Sequence, residues 1–249
     1  MSIIEIASHR GGAFLWPENS LLAFRHALGW AAEQVEFDVH ASRDGEPVVI
    51  HDATLDRTTD GSGPIATLDW AEVRRHRLRG TGGEHVPSLA QTAALIGPSP
   101  QKLRMEIKAG VDGWPYAGFV QRCTEVLGPL RARTVLMSFE AATLAEAAAL
   151  GGFEQLVYLA ETRPMRALRP VDAVALCRSC GATELGVHVS VADEALRDAL
   201  RESGLRLSVW GANHASSIAR ALALGVDVLA TDDPPLAIAM RAGGKAYPR

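Results

Sequence analysis

A chain of 249 residues, 47% hydrophobic and 22% charged, can bury a sizeable core and has an ordinary globular composition. Its 29 acidic and 25 basic residues leave a net charge of −4, which argues against a general nucleic-acid binder but permits a local phosphate pocket. The opening MSIIEIASHRGG does not read as a signal peptide, and no stretch approaches the roughly 18 apolar residues of a membrane helix, so a cytoplasmic protein without membrane insertion is expected.

The first apolar run covers residues 3–9. A helical pattern follows through Leu21, Leu22, Phe24, Ala27 and Leu28, with Asn19 or Ser20 as its N-cap. Residues 35–39 read as the second strand. The connection that follows carries the turn signal Asp44-Gly45 and leads back into an apolar run ending at His51. A parallel crossover takes a dozen residues or more, so residues 48–51 are expected as a hairpin return strand. Residues 40–98 form an elaborated loop, irregular from 52 onward, with short helices around 69–76 and 88–95. Strands are expected next near 103–107, 135–138, 156–159, 184–188, 207–210 and 226–230. Helices fall at about 114–127, 140–150, 171–179, 192–203 and 214–224, and a last one follows Pro235.

Six such strands after the first two make eight parallel-type strands, which matches an α/β chain folded as a (β/α)8 TIM barrel. The expected organisation is one domain, 1–249, with a small insertion after the second strand at approximately 40–98. An open doubly wound sheet would want a glycine fingerprint after its first strand, where His9-Arg10-Gly11-Gly12 stands instead. Cys177 and Cys180 form a C-x-x-C with no second ligand pair and read as two thiols one helical turn apart. With Cys123 they make an odd count that fits a reducing compartment.

Barrel chemistry collects at the C-terminal ends of strands. Those ends carry His9-Arg10, Glu36-Phe37-Asp38, Glu106-Ile107-Lys108, Trp210 with Asn213 beyond, and Thr231-Asp232, while the return strand ends in His51-Asp52. Glu36 and Asp38, two apart on a strand, share a face. Burying both unpaired is costly, and a divalent cation is the simplest compensation, with Glu106 a candidate third ligand. Ion pairs with Arg10 and Lys108 are the competing explanation. His9 and His51 are candidates for general acid and base. Arg10 and Lys108 suit phosphate oxygens. His40 is left open and is expected on the face opposite Asp38. His26, His76, His85, His188 and His214 are expected on the surface or in packing.

These blocks resemble the glycerophosphodiester phosphodiesterase family. HRGGAFLWPENSLLAF at 9–24 is similar to its H-R-G, P-E-N-[TS] and A-F. EFDVHASRDGEPVVIHDATLDRT at 36–58 is similar to its E-x-D-V, D-G, V-V-x-H-D and L-x-R-T. VPSL at 86–89, EIK at 106–108, Ser138-Phe139, Trp210 with Asn213, and Thr231-Asp232 with Pro234 continue the series. The resemblance implies a TIM barrel with an insertion after the second strand. It also implies one divalent cation (Mg²⁺ or Ca²⁺, with Mn²⁺ also allowed) held by Glu36, Asp38 and Glu106, and an acid–base pair His9 and His51. Arg10 and Lys108 would hold phosphate, and Trp210 would wall the alcohol side. The implied reaction is hydrolysis of a small-molecule glycerophosphodiester to glycerol 3-phosphate and an alcohol.

Departures from the pattern, Gly211-Ala212 after Trp210, the extra acid at Asp233 and Ala90-Gln91, leave the alcohol open. Two alternatives stand beside it: a phosphodiesterase for lysophospholipid or inositol phosphodiesters, and a barrel that binds a phosphorylated ligand without turnover. A zinc amidohydrolase would want H-x-H at the first strand end, which is absent.

Overall fold

The computed structural model describes residues 3–243, so the two ends of the expected 1–249 domain, residues 1–2 and 244–249, lie outside the described residues. Nine strands form one sheet: β1 (Glu5–Ser8), β2 (Gln34–Ala41), β3 (Pro47–Val49), β4 (Lys102–Ile107), β5 (Thr134–Ser138), β6 (Gln155–Ala160), β7 (Glu184–His188), β8 (Arg206–Trp210) and β9 (Val228–Thr231). The bonded order runs β1-β9-β8-β7-β6-β5-β4-β2-β3, and β1 also pairs with β2. That last pairing closes eight parallel strands into a TIM barrel. β3 alone is antiparallel, with Val49 opposite Val39, and is the hairpin return expected from the short connection.

The helices are α1 (Leu21–Ala27), α2 (Trp70–Val73), α3 (Leu89–Ile96), α4 (Phe119–Leu127), α5 (Ala141–Leu150), α6 (Thr162–Met165), α7 (Pro170–Ser179), α8 (Glu194–Glu202), α9 (Ala215–Leu224) and α10 (Pro234–Arg241). Side-chain caps set several starts. Ser20 Oγ accepts from Ala23 N at 3.0 Å, Asp193 caps Leu196, and Ser88 with Gln91 forms a capping box. One expected helix starts later than its pattern suggests, and one short helix is additional. The helix placed at 114–127 begins only at Phe119, because Pro115 disfavours helix at Trp114 and Gly118 sits in the left-handed region at φ 65°. The short α6 was not anticipated, and no cap signal precedes it.

Strand alternation decides what lies inside. On β2, Val35, Phe37, Val39 and Ala41 join the main apolar core, as do Leu103, Met105 and Ile107 of β4. The intervening Gln34, Glu36, Asp38, His40, Arg104 and Glu106 are equally buried but polar. Parallel register sets Glu36 level with Arg104 and Asp38 level with Glu106. Low in the barrel, Arg104 donates to Gln34 (3.0 Å), Glu184 (2.6 Å) and Ser208 (3.1 Å). Removing one partner of such a buried pair strands the other, at a cost of about 3–5 kcal/mol.

Two further features support the C-terminal mouth. Val48, Ile50, Leu55, Ile65, Val73, Leu78 and Val86 form a small separate apolar cluster, which anchors the segment carrying His51. After β1 the chain turns sharply, with Arg10 at φ 51° and Gly11 at φ 81°. A Cβ on Gly11 would lie 2.7 Å from that of Ala23, so glycine is required there for both backbone and space. Cys123, Cys177 and Cys180 are all free and buried.

Candidate active site

The strand ends enclose a cavity of about 580 Å³ whose lining includes His9, Arg10, Glu36, His51, Glu106, Lys108 and Trp210. Asp38 is fully buried beside them. Glu36, Asp38 and Glu106 each offer a carboxylate oxygen, and these atoms lie within 4.8 Å of one another. All eight residues singled out from the sequence therefore meet in one place. A roomier cleft of about 940 Å³, lined by Trp70, Arg74 and His85 among others, contains none of them.

The three carboxylates are unequally compensated. Asp38 Oδ2 accepts from Asn19 Nδ2 at 2.8 Å and lies 3.4 Å from Arg10 Nε, and its Oδ1 is 3.1 Å from Lys108 Nζ. Burial alone would raise its pKa, but Lys108 and Arg10 hold it well below the usual carboxylate range. Glu106 Oε1 has the same Lys108 ammonium at 2.6 Å. Glu36 Oε2 accepts from the backbone N–H of Arg10 at 2.7 Å, whereas its Oε1 is buried with no hydrogen-bond partner. Burial, reinforced by the Asp38 charge, pushes the Glu36 carboxyl up to about 7. Burial likewise raises Glu106, against the pull of Lys108. Lysine and arginine side chains thus compensate Asp38, whereas Glu36 has only the Arg10 N–H and the more distant His9 ring and keeps one oxygen unpartnered. A compact set of oxygen donors with an orphaned carboxylate oxygen fits a hard divalent cation, and this cluster could hold one.

Both histidines are held through Nδ1 by a carboxylate. His9 Nδ1 lies 2.6 Å from Asp232 Oδ1, and Asp232 is itself fixed by Asn213, which donates to Oδ2 at 2.5 Å and accepts from the Asp232 N–H at 2.9 Å. A carboxylate at Nδ1 assigns the proton there and turns Nε2, 4.0 Å from Glu36, toward the cavity. His51 Nδ1 lies 2.7 Å from Asp52 Oδ1. Arg57 grips Asp52 with two nitrogens at 2.7 and 2.9 Å and Glu18 with two at 2.8 Å, and Glu18 accepts from Arg10 at 3.1 Å. A continuous chain of charge-assisted bonds therefore joins Arg10 to His51. The two rings are displaced in opposite directions. Burial would lower His9, but Glu36 and Asp232 outweigh it and raise its pKa; burial dominates at His51 and lowers it.

Trp210 is half-buried, edge-on to Phe139 at 6.5 Å and to His188 at 4.8 Å, and lines the same cavity. His188 is a packing residue, as expected. His40 corrects the sequence reading: residues two apart on a strand share a face, and His40 continues the polar side of β2 after Glu36 and Asp38. The sequence names Asp52, Asn213 and Asp232 at strand ends and Glu18 and Arg57 within motif blocks without giving them roles, and it offers Asn19 only as an alternative N-cap, a place that Ser20 takes while Asn19 bonds Asp38. Their motif positions were the available signal.

The glycerophosphoryl diester phosphodiesterase family model matches residues 9–236. A glycerophosphodiester phosphodiesterase from Caldanaerobacter subterraneus subsp. tengcongensis is 27% identical over 260 residues, spanning 96% of this chain and 98% of that one. A crystal structure of a candidate glycerophosphoryl diester phosphodiesterase from Agrobacterium tumefaciens superposes with a TM-score of 0.92 at 36% identity, covering 97% of this chain and 98% of that one. An Oleispira antarctica phosphodiesterase, 24% identical with a TM-score of 0.78 over 95% of this chain and 97% of that one, was solved with the product sn-glycerol-3-phosphate. Fold, pocket and these likenesses define a phosphoric diester hydrolase on a TIM barrel. The chain belongs to the glycerophosphoryl diester phosphodiesterase family.

Because the folded chain holds the Glu36 proton more tightly than the usual 4.5 would, this group withdraws stability as pH rises from 4.5 to about 7. Glu36→Gln, which keeps an acceptor for the Arg10 N–H, is expected to stabilise the EDTA-treated protein at pH 8 by on the order of 1–3 kcal/mol. The gain should shrink to nearly nothing at pH 5. Urea unfolding at the two pH values checks this, and an unchanged or lower midpoint at pH 8 would contradict it.

Proposed function

We propose that the chain hydrolyses glycerophosphodiesters to glycerol 3-phosphate and an alcohol, using one divalent cation held by Glu36, Asp38 and Glu106 and an acid–base pair of His9 and His51. The observation that carries this reading is the convergence of three buried carboxylates within 4.8 Å, beside two carboxylate-held histidines, on one cavity. On this reading the whole chain works as one barrel domain, with residues 40–98 as an insertion that supplies His51. When bound, the cation would polarise a phosphoryl oxygen and lower the pKa of a water or substrate hydroxyl.

The remaining steps belong to side chains. His51, displaced toward its neutral form, is suited to accept the proton of the nucleophile. His9, displaced toward its charged form, is suited to return a proton to the departing alkoxide. Arg10 and Lys108 line the same cavity and would offset charge developing on the phosphoryl oxygens. The product bound to the Oleispira relative, glycerol phosphate, agrees with this substrate class.

The test is glycerol phosphate release from glycerophosphocholine and glycerophosphoethanolamine. EDTA-treated protein should be inactive and should recover with Mg²⁺, Ca²⁺ or Mn²⁺. His51→Ala should lose about 10²-fold or more in kcat. Hydrolysis undiminished by EDTA would remove the cation from the reading, and near-normal turnover by His51→Ala would remove that residue.

The alcohol side of the cavity favours a cation. Its lining combines the Trp210 and Phe139 rings with Glu140 and Glu161, whose carboxylates have no ion-pair partner among the described residues. Aromatic faces beside carboxylates attract an ammonium group. Glu140→Gln/Glu161→Gln should raise KM severalfold for glycerophosphocholine and leave glycerophosphoinositol unchanged. An equal effect on both would contradict a cationic preference. A second reading, lysophospholipid as substrate, draws on exposed Phe14, Val111 and Trp114, which lie on loops after β1 and β4 at this end of the barrel. Faster turnover of lysophosphatidylcholine vesicles in the same panel would favour it.

A further inference from the structure

His40 is 2% exposed, yet no step above uses it. Its two ring nitrogens make different bonds. Nε2 lies 3.0 Å from the backbone carbonyl of His51, and Nδ1 lies 2.8 Å from the hydroxyl of Tyr116. A carbonyl oxygen only accepts, so Nε2 carries the hydrogen. Nδ1 is then a lone-pair acceptor, and the Tyr116 hydroxyl donates to it. The order of donors is thus settled from Tyr116 through His40 to His51. Tyr116 comes from the 108–118 loop between β4 and α4, where its ring packs edge-on against His40 at 6.0 Å and against Phe119 at 5.3 Å.

The recipient of this relay is what gives it meaning. The β2–β3 ladder ends at Val49, and Ile50 N still bonds Asp38 O at 3.0 Å, but His51 lies past both. Its side chain is held by Asp52, which Arg57 ties to Glu18, whereas the bond from His40 is made to the His51 backbone itself. The bond from His40 fixes the backbone of His51 to the barrel wall, on the strand that carries Glu36 and Asp38. Small displacements of a reacting group are costly: a misplacement of about 1 Å can reduce turnover about 10²-fold.

The geometry points to His40 and Tyr116 as positioning residues that hold His51 in register with the acidic cluster. This rests on the reading of His51 as an acid–base group. Neither residue touches the reacting atoms, so the effect should fall on kcat and not on KM. His40→Leu removes both bonds. His40→Gln can restore them, with its amide N–H toward the carbonyl and its amide oxygen toward Tyr116. Tyr116→Phe removes only the hydroxyl and leaves the ring packing intact.

The experiment is a double-mutant cycle with His51→Ala, assayed on glycerophosphocholine with metal present. His40→Leu should lower kcat roughly 10-fold or more with KM within about twofold, and His40→Gln should recover most of the loss. In the His51→Ala background, His40→Leu and Tyr116→Phe should have no further effect on the residual rate. If His40→Leu proves unstable, Tyr116→Phe carries the same comparison, with a loss of roughly threefold expected in the parent and none in the His51→Ala background. Equal losses in both backgrounds, or a kcat that neither substitution alters, would overturn the positioning role while leaving His51 in place. A His51→Ala enzyme with normal turnover would instead remove the reading of His51, and with it the group to be positioned.

Discussion

Three carboxylates buried side by side at the mouth of a barrel dominate this molecule. Arg10 and Lys108 are the cations set against them, and Arg10 is shared with Glu18. Lys108 stands between Asp38 and Glu106, and the backbone N–H of Arg10 reaches Glu36. The shortfall collects on Glu36, whose second oxygen is orphaned and whose proton is held up to about 7. A folded protein that keeps such a cluster is less stable than it need be, which is the usual condition of a site built for chemistry.

Much of the surrounding structure holds this cluster in place. Parallel register puts Asp38 level with Glu106. The left-handed turn at Arg10 and the Gly11 that permits it bring a backbone N–H to Glu36, and Asn19 returns from the same turn to grip Asp38. Glu18, between them, extends the charge network through Arg57 and Asp52 to His51. The motif residues Pro17-Glu18-Asn19 therefore join the first strand end to the return hairpin. Below, Arg104 pairs with Glu184, Gln34 and Ser208 inside the barrel, while Arg104 Nε and Glu184 Oε2 are buried without a hydrogen-bond partner.

Local pattern made the barrel legible. The alternation of apolar runs and helical stretches, and the short connection at Asp44-Gly45, were enough for eight parallel strands and one hairpin return. Residues two apart on a strand put Glu36 and Asp38 together without coordinates. Contacts made by barrel closure were not legible, because strand order and register decide them. Asp232 reaches His9 across 223 positions and Arg104 reaches Glu184 across 80. His40 shows a different failure: the same two-residue period that joined Glu36 to Asp38 also places His40 on their face, and it was read onto the other. Residues 114–118, expected as the start of α4, are loop because Pro115 and the left-handed Gly118 are local breakers inside an otherwise helical pattern.

The role proposed for the acidic cluster is to hold one cation. Calorimetric titration of Mg²⁺, Ca²⁺ or Mn²⁺ into EDTA-treated protein tests it most directly, alongside Glu106→Gln and Asp38→Asn variants shown to be folded by circular dichroism. One saturable site per chain is expected for at least one of these ions, with affinity lowered at least about tenfold in each variant. No saturable binding by any of the three, or binding that both variants retain in full, would contradict it.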